Sequence, residues 1–209
     1  MKMPSFLEVT LLSDATFGGG TGLAGEVDLE IDHDDLGLPR ISGKSIRGLL
    51  KDTFLSMATA FQIVPESAAK VFGTEGALVS PCAVHITDAR VEDSARAWIA
   101  YGLNTNKHLS PRDVLHALTA IRYQTAEERK TGAPSRHSLR ATRVVASGLK
   151  LRACLTWQET EDAESLRYLA MAALGTRHAG VARNRGRGLV SIYLNGDSEW
   201  TRSLAGVTR

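Results

Sequence analysis

Two short segments of the chain combine glycine with basic residues in a way that suits the binding of an anion. The first is Arg183-Asn-Arg-Gly-Arg-Gly188, where glycines let the backbone approach a phosphate and arginines offer paired N–H donors to its oxygens. An acyltransferase loop for the pyrophosphate of acetyl-CoA is one interpretation, but that loop follows a strand and opens a helix. Here a predicted helix precedes the segment and a predicted strand follows it. This order favours a loop that contacts an RNA backbone, and a glycine turn with solvated arginines is the alternative.

The second segment runs from Gly37 to Gly48 and contains the tripeptide Gly43-Lys44-Ser45. A Walker A motif ends in this way, but it also needs an earlier glycine and a preceding parallel strand. Pro39 lies next to the position where that glycine is needed, so a P-loop nucleotide triphosphatase is rejected. Ser42 and Ser45 are both candidate N-caps of a following helix. We therefore predict a helix start that carries Lys44 and Arg47 and is suited to a phosphate.

Charge is strongly segregated along the 209 residues, although the formal net charge is only +2. Six acids and no lysine or arginine lie in 26–35, whereas nine lysines and arginines and three acids lie in 112–152. Four arginines and no acid lie in 175–189. This distribution predicts a polyanionic partner and a separate acidic site. The alternative is that the acidic and basic segments pair with each other in the folded chain.

Other classes of protein are disfavoured by what the sequence lacks. Cys82 and Cys154 give neither a disulfide framework nor metal-binding spacing, and the six histidines are scattered. No apolar run is long enough to span a membrane, and the N-terminus has no apolar signal core. We therefore expect a cytoplasmic protein with no membrane contact and, from its length, a single domain over 1–209.

Hydrophobic periodicity predicts an α+β fold. Strands are expected over 6–12, 83–91, 149–157 and 189–194, with helices over about 44–62 and from Glu159–Glu164 to Gly175. Residues 95–138 lack clean periodicity and form a long insertion, and order resumes at 138–145. Without the insertion the order is βαββαβ, the ferredoxin-like (RRM-like) arrangement of an antiparallel sheet with both helices on one face. The open face of such a sheet is a common platform for single-stranded RNA.

Five motifs in this order resemble those of a known family. They are Leu38-Pro-Arg-Ile-Ser-Gly-Lys-Ser-Ile-Arg-Gly48, Val71-Phe-Gly73, Ile86-Thr-Asp-Ala89, the group Gln124-Thr-Ala, Lys130-Thr-Gly and Ser138-Leu-Arg, and the glycine-rich Arg183–Gly188. Together they resemble the RAMP superfamily of CRISPR effector proteins, most closely the guide-RNA-binding backbone subunits of type III complexes. Ser42 replaces a proline of the family motif. The likeness extends over residues 17–194.

The resemblance implies a hand-like subunit that binds guide RNA and polymerises with copies of itself and other effector subunits. A ferredoxin-like palm, residues 5–95 and 139–196, grips the guide, and a thumb, residues 96–138, kinks it. The residues expected to bind RNA are Lys44, Ser45, Arg47, Arg122, Arg129, Lys130, Arg136, Arg140, Arg183, Arg185 and Arg187.

Catalytic members of the family carry an aspartate between the early glycines and the Leu-Pro motif, and the nearest match is Asp28. The resemblance thus implies metal-dependent cleavage of complementary target RNA. A carboxylate there would hold Mg²⁺ or position a ribose 2′-hydroxyl for in-line attack. Chemically, Glu30, Asp32, Asp34 and Asp35 are equally capable. Two alternatives remain, a non-catalytic capping subunit that holds the 5′ tag of the guide and a stand-alone endoribonuclease that processes guide RNA.

Overall fold

The computed structural model describes residues 2–18, 20–64, 66–74, 82–158, 162–183 and 185–207. Twelve elements follow in chain order within these ranges: β1 (Phe6–Leu11), α1 (Gly43–Ala58), α2 (Glu66–Phe72), β2 (Val84–Ile86), α3 (Asp93–Thr105), α4 (Pro111–Leu118), β3 (Thr119–Gln124), β4 (Arg140–Val145), β5 (Lys150–Trp157), α5 (Ala163–Gly175), β6 (Val190–Leu194) and α6 (Ser198–Ala205). The prediction of a mixed α+β fold is confirmed. Among the described residues, no helix is long and apolar enough to cross a membrane.

Four strands form an antiparallel sheet in the order β2-β5-β1-β6. The central strand β1 places Leu7, Val9 and Leu11 on one face, and all three are buried, as expected for a strand with one face against a core. On that face Leu7 lies opposite Ala153 and Leu194. Helices α1 and α5 cover this face and contribute large buried side chains to the same core: Leu50, Phe54, Leu166 and Leu169.

The opposite face of the sheet carries charge. Glu8 of β1 is only 7% exposed, and its carboxylate accepts hydrogen bonds from Lys150 and Arg152 at 3.2 Å each. The Arg152 guanidinium also lies 4.8 Å from the centre of the Phe6 ring. The charges of this face therefore largely neutralise one another.

The insertion between β2 and β5 is more ordered than its sequence pattern indicates. Residues 95–138, for which we expected no regular elements, contain most of α3, all of α4 and β3. Strands β3 and β4 pair as a separate antiparallel ladder, so the segment that resumes order at 138–145 lies outside the four-stranded sheet. Helix α3 buries none of its residues, which explains why it shows no apolar stripe.

Element boundaries differ in detail from those predicted. Helix α1 ends at Ala58 rather than residue 62, and β2 is limited to three residues. Beyond β2 the chain forms single bridges to Ile41 and Arg152, so the expected strand over 83–91 is interrupted rather than absent. The predicted start of α5 at Glu159 falls on 159–161, which lie outside the described residues, and α5 as described begins at Ala163.

Candidate nucleic-acid interface

The N-terminus of α1 is fixed by side chains of its own chain. Ser42 is the N-cap, and its hydroxyl accepts a hydrogen bond from the Ser45 amide at 3.2 Å. The Gly43 amide donates at 2.9 Å to Asp88, which lies in the loop after β2. A side chain at position 43 would collide with the Ile86 carbonyl, since an added Cβ lies 2.4 Å from it. Two of the first three amides are therefore occupied, and a phosphate here would depend mainly on side chains.

Asp88 links this helix start to two arginines, and the link predicts a pH-dependent stability. The Gly43 amide and then Arg90 and Arg40 hold the pKa of Asp88 below its ordinary value of 3.8, although burial raises it. A lowered folded-state pKa favours the fold above the unfolded value, and this stability is lost as the pH falls through the folded pKa. We expect Asp88→Asn to lower the free energy of unfolding by about 0.5–1 kcal/mol at pH 7.

Urea unfolding of Asp88→Asn and the parent chain at neutral pH and at about pH 3 measures this effect. The difference in unfolding free energy between the variant and the parent chain should shrink in acid, because the parent carboxylate is then increasingly protonated. An equal deficit at both pH values would contradict an electrostatic origin. Asp35→Asn, which removes an exposed acid without an ion pair among the described residues, is the control.

Backbone conformation fixes the loop between α5 and β6. Gly180, Gly186 and Gly188 have positive φ angles, and so does Ala182 at 60°, an unusual value for a residue with a side chain. An added Cβ at Gly188 would lie 2.0 Å from the Ala179 carbonyl, so only glycine fits there. The loop is thus held in one tight path, from which Arg183 and Arg185 extend into solvent. Asn184 lies outside the described residues.

A cavity of about 680 Å³ brings two of the predicted segments together. Ser42, Ser45 and Gly48 line it from α1, and Gly180 and Arg183 line it from the α5–β6 loop. A third segment that the sequence prediction did not include completes the wall: Thr16, Phe17 and Gly18, which follow β1. Lys44 and Arg47 are not lining residues and lie on the neighbouring faces of α1. The structure therefore unites Ser45 and Arg183 in one site and places Lys44 and Arg47 beside it.

A second, more open cleft of about 640 Å³ shares Arg183 with this cavity. Arg177 and His178 also line it, with Thr53, Gly175 and Gly186. Its described lining contains no carboxylate, so the cleft is suited to a phosphate. Arg177 and His178 were absent from the predicted site. Both residues lie in 175–189, and the absence of acids from that segment is the sequence feature that could have indicated them.

The cations of the chain divide into neutralised and free groups. Several arginines form ion pairs with acids of the same chain: Arg40, Arg90, Arg96, Arg112, Arg122, Arg143 and Arg152. Arg40 lines the cavity but is paired with Asp32. Within the described residues, no ion pair engages the other cations in or beside the cavity and the cleft: Lys44, Arg47, Arg177, Arg183, Arg185 and Arg187. These side chains remain available to an anion.

The predicted thumb cations divide in the same way. Arg122 lies on β3 and is paired with Asp14. Arg129, Lys130 and Arg136 lie in the connection between β3 and β4, and Arg140 begins β4. These four are exposed and have no ion pair to a described residue. They form a second basic surface, which lies on other segments and other secondary-structure elements than the cavity and the cleft.

The acidic segment is mostly neutralised, which corrects the prediction of a separate acidic site. Its carboxylates bind arginines of the same chain, so the alternative of internal pairing describes this segment. The pairs are Glu26 with Arg112 and Arg143, Glu30 with Arg143, Asp32 with Arg40, and Asp34 with Arg96. Burial raises the pKa of Asp34, but hydrogen bonds from Arg96 and from the amides of Leu38 and Leu36 lower it by more. The pKa of Asp34 therefore lies below its ordinary value.

Asp28 is held differently from its neighbours. Its segment runs parallel to β4, where Leu29 bridges Thr142 and the Arg143 amide donates to the Leu29 carbonyl at 3.0 Å. The Asp28 side chain is exposed, and its Oδ2 accepts a hydrogen bond from the Ala141 amide at 2.6 Å. No arginine or lysine of the described chain pairs with it. Asp28 is therefore fixed by a backbone hydrogen bond, and its other carboxylate oxygen, Oδ1, has no hydrogen bond to a described residue.

The side chains around Asp28 fit Mg²⁺ only if a bound substrate supplies further oxygen ligands. Among the described residues, no group of three His, Cys, Asp or Glu side chains is arranged to hold a metal ion. Glu26 and Glu30 are committed to Arg143. Mg²⁺ commonly binds through one or two carboxylates together with substrate phosphates and water, and Asp28 offers one such carboxylate.

Comparison with known proteins places this arrangement in a family. The model of the RAMP superfamily matches residues 8–191, and the chain therefore belongs to this superfamily. No curated protein sequence matches it significantly. The fold is similar to a chain in a cryo-EM structure of Type III-B Cmr-beta in the apo state, with a TM-score of 0.67 and 14% identity over 93% of this chain and 98% of that chain. It is also similar to a chain of Type III-B Cmr-beta bound to cognate target RNA, with a TM-score of 0.65 and 13% identity over 91% and 96% of the two chains.

Proposed function

We propose that the chain is a subunit of a type III CRISPR effector complex that binds guide RNA along its phosphate backbone and polymerises with copies of itself. Membership of the RAMP superfamily and the likeness to Type III-B Cmr-beta chains support this proposal. The sheet order β2-β5-β1-β6, with α1 and α5 on one face, supports a ferredoxin-like palm. The insertion over residues 96–138, which contains most of α3, all of α4 and β3, supplies the thumb.

The observation that carries the proposal is the distribution of free cations. Seven arginines are paired with acids of the same chain, whereas Arg47 on α1 and the arginines of the glycine-rich loop form no ion pair within the described residues. Arg183 lines both the cavity and the cleft and so joins them into one surface. Such a surface suits a polyanion that is recognised by its phosphates and not by its base sequence.

The second part of the proposal is cleavage of complementary target RNA by Asp28. Its free carboxylate oxygen would either position a ribose 2′-hydroxyl for attack on the adjacent phosphate or hold Mg²⁺ together with phosphate oxygens. When bound, the metal ion would stabilise negative charge on the reacting phosphate. The protein's contribution is to fix the position of the carboxylate through the Ala141 amide.

Salt-dependent binding of guide RNA tests the first part. We expect Arg183→Ala/Arg185→Ala/Arg187→Ala to weaken binding of a single-stranded guide by at least 10-fold at moderate salt. The slope of log Kd against log salt should fall by about 2, because each phosphate contact to a single strand contributes about 0.7. Fluorescence anisotropy over a series of salt concentrations gives both values.

Arg167→Ala is the matched control, because Arg167 is an exposed cation on α5 without an ion pair among the described residues. It should change the affinity less than twofold. An unchanged slope in the triple variant would remove the glycine-rich loop from the interface. Absorbance of the purified chain at 260 and 280 nm, followed by nuclease treatment, shows independently whether it carries RNA.

A further inference from the structure

One arginine in the wall of the palm cavity, the cavity of about 680 Å³, is paired with an acid and still has free donors. Arg40 lines this cavity, and its Nε donates a hydrogen bond to Asp32 Oδ1 at 2.9 Å. Its Nη1 lies 3.8 Å from Asp88, which is too long for a hydrogen bond. Within the described part of the chain, the two terminal nitrogens therefore donate to no acceptor. A guanidinium in this state can bind a carboxylate through Nε and a phosphate through the Nη1–Nη2 pair.

The backbone around Arg40 is fixed. Its amide donates to the Asp32 carbonyl at 2.9 Å, so the two residues are joined by both main chain and side chain. The following residue, Ile41, forms an antiparallel bridge with Ala89. The hydrogen bond to Asp32 also raises the pKa of the guanidinium, which therefore stays charged at neutral pH. An arginine held in this way loses little conformational freedom when it binds an anion.

Asp32 connects the cavity wall to the segment that carries Asp28. Residues 28–32 lie between two other segments, because the Asp28 amide donates to the Ala141 carbonyl at 2.8 Å and the Asp32 amide donates to the Phe17 carbonyl at 2.7 Å. Phe17 also lines the cavity. The main chain from Asp28 to Asp32 spans at most about 14 Å. A ligand that immobilises Asp32 therefore restricts the movement of Asp28 as well.

We propose that Arg40 binds a guide phosphate with its terminal nitrogens while it holds Asp32 through Nε, so that bound guide RNA positions the segment of Asp28. Arg183 lines the same cavity from the α5–β6 loop, so the phosphates meet arginines from two separate segments. The contact requires no particular base, since every nucleotide carries the same phosphate. This inference rests on the proposed function and adds a link between guide binding and the position of Asp28.

Binding of a uridine decamer to the full chain tests the phosphate contact. By fluorescence anisotropy, Arg40→Gln should raise Kd about 10-fold at moderate salt, because hydrogen bonds between charged groups are lost. The slope of log Kd against log salt should fall by about 0.7, the value for one phosphate contact to a single strand. Arg40→Lys keeps the charge but not the paired donors, so it should retain the slope and still bind more weakly than the parent chain.

Arg96→Gln is the matched control for a loosened acidic segment. Arg96 is also paired with an acid of 26–35, Asp34, but it is not among the residues that line the cavity. This variant should leave both the affinity and the slope of the parent chain unchanged. Equal losses in Arg96→Gln and Arg40→Gln would show that the loosened segment is the cause, and would overturn the phosphate contact.

Hydrogen exchange tests the link to Asp28. Binding of the decamer should slow the exchange of the amides in 28–32 at least about fivefold in the parent chain. Asp32→Ala should lose this protection and yet bind the decamer at least as tightly, because a negative charge beside the phosphate has been removed. A merely structural role of Asp32 would not separate protection from affinity. Protection that persists in Asp32→Ala would overturn the link.

The binding experiment also separates this inference from the proposed function. Parent-like affinity of both Arg40→Gln and Arg40→Lys, with weakened binding by the triple variant of the glycine-rich loop, would overturn the role of Arg40 alone. If Arg40→Gln does not fold, Arg40→Lys decides by itself, because its charge beside Asp32 is retained. Failure of the unaltered chain to bind the decamer would overturn the proposed function as well.

Discussion

Replacing Asp28 with asparagine should lower the rate of target-RNA cleavage by at least 100-fold in a complex assembled on guide RNA. Asparagine keeps an oxygen that accepts the hydrogen bond from the Ala141 amide, so the segment should stay in place. What is lost is the negative charge, on which both proposed roles of Asp28 depend. A positioned acid–base group typically contributes about 10²–10⁴-fold to a rate. Single-turnover cleavage of labelled target RNA in the presence of Mg²⁺ measures the change.

Two comparisons make this experiment specific. Asp35→Asn removes an exposed, unpaired acid of the same segment and should cleave at the parent rate. Guide binding by Asp28→Asn should remain within twofold of the parent, because Asp28 lies outside both clefts. Cleavage by Asp28→Asn at the parent rate would exclude Asp28 and leave a non-cleaving subunit as the interpretation. Loss of both binding and cleavage would instead indicate a structural role.

The elements that could be predicted from the sequence are those whose signal is local. Helix α1 shows an apolar stripe with a serine N-cap, and β1 and β5 alternate between a buried and an outer face. Helix α4 also has a local signal, because Ser110 and Asp113 form a capping box with Pro111 between them. That signal was present in the insertion but was masked by the surrounding polar residues. Helix α3 has no buried face, so its periodicity carries no information.

The site depends on contacts between distant segments, which is why only its residue types could be predicted. Arg122 has the composition of an RNA-binding residue, but it pairs with Asp14, 108 residues away. The palm cavity joins segments near 17, 45 and 180, and no single-sequence pattern indicates that they meet. Likewise, the sequence of the acidic segment predicts an open anionic site, because it does not show that β4 places Arg143 beside these acids. The glycine-rich loop was predictable because its chemistry lies within one short run of residues.

Replacing Arg143 with methionine should cost about 3–5 kcal/mol of unfolding free energy, the largest effect on stability that we expect. Arg143 is 3% exposed, and its guanidinium lies 3.1 Å from Glu26 and 2.8 Å from Glu30. Methionine fills much of the volume but leaves both carboxylates without this partner in a partly buried site. In a domain of this size, the loss corresponds to a fall in melting temperature of about 10 °C. Calorimetry and urea unfolding give the two values.

The physical cause is lost charge pairing, which is complete at Glu30 and partial at Glu26 because Glu26 keeps Arg112. Removing the acids should therefore rescue the variant. Arg143→Met/Glu26→Gln/Glu30→Gln should recover more than half of the lost stability, because neutral side chains tolerate burial better than charged ones. Arg122→Met is the surface control, since that arginine is 53% exposed in its pair with Asp14, and it should cost less than about 1 kcal/mol. If the triple variant is no more stable than Arg143→Met, lost packing and not unpaired charge is the cause. Arg143 also holds the segment that carries Asp28, so the triple variant should regain target-RNA cleavage together with stability. Recovery of stability without cleavage would show that the positive charge of Arg143 is itself needed at the site.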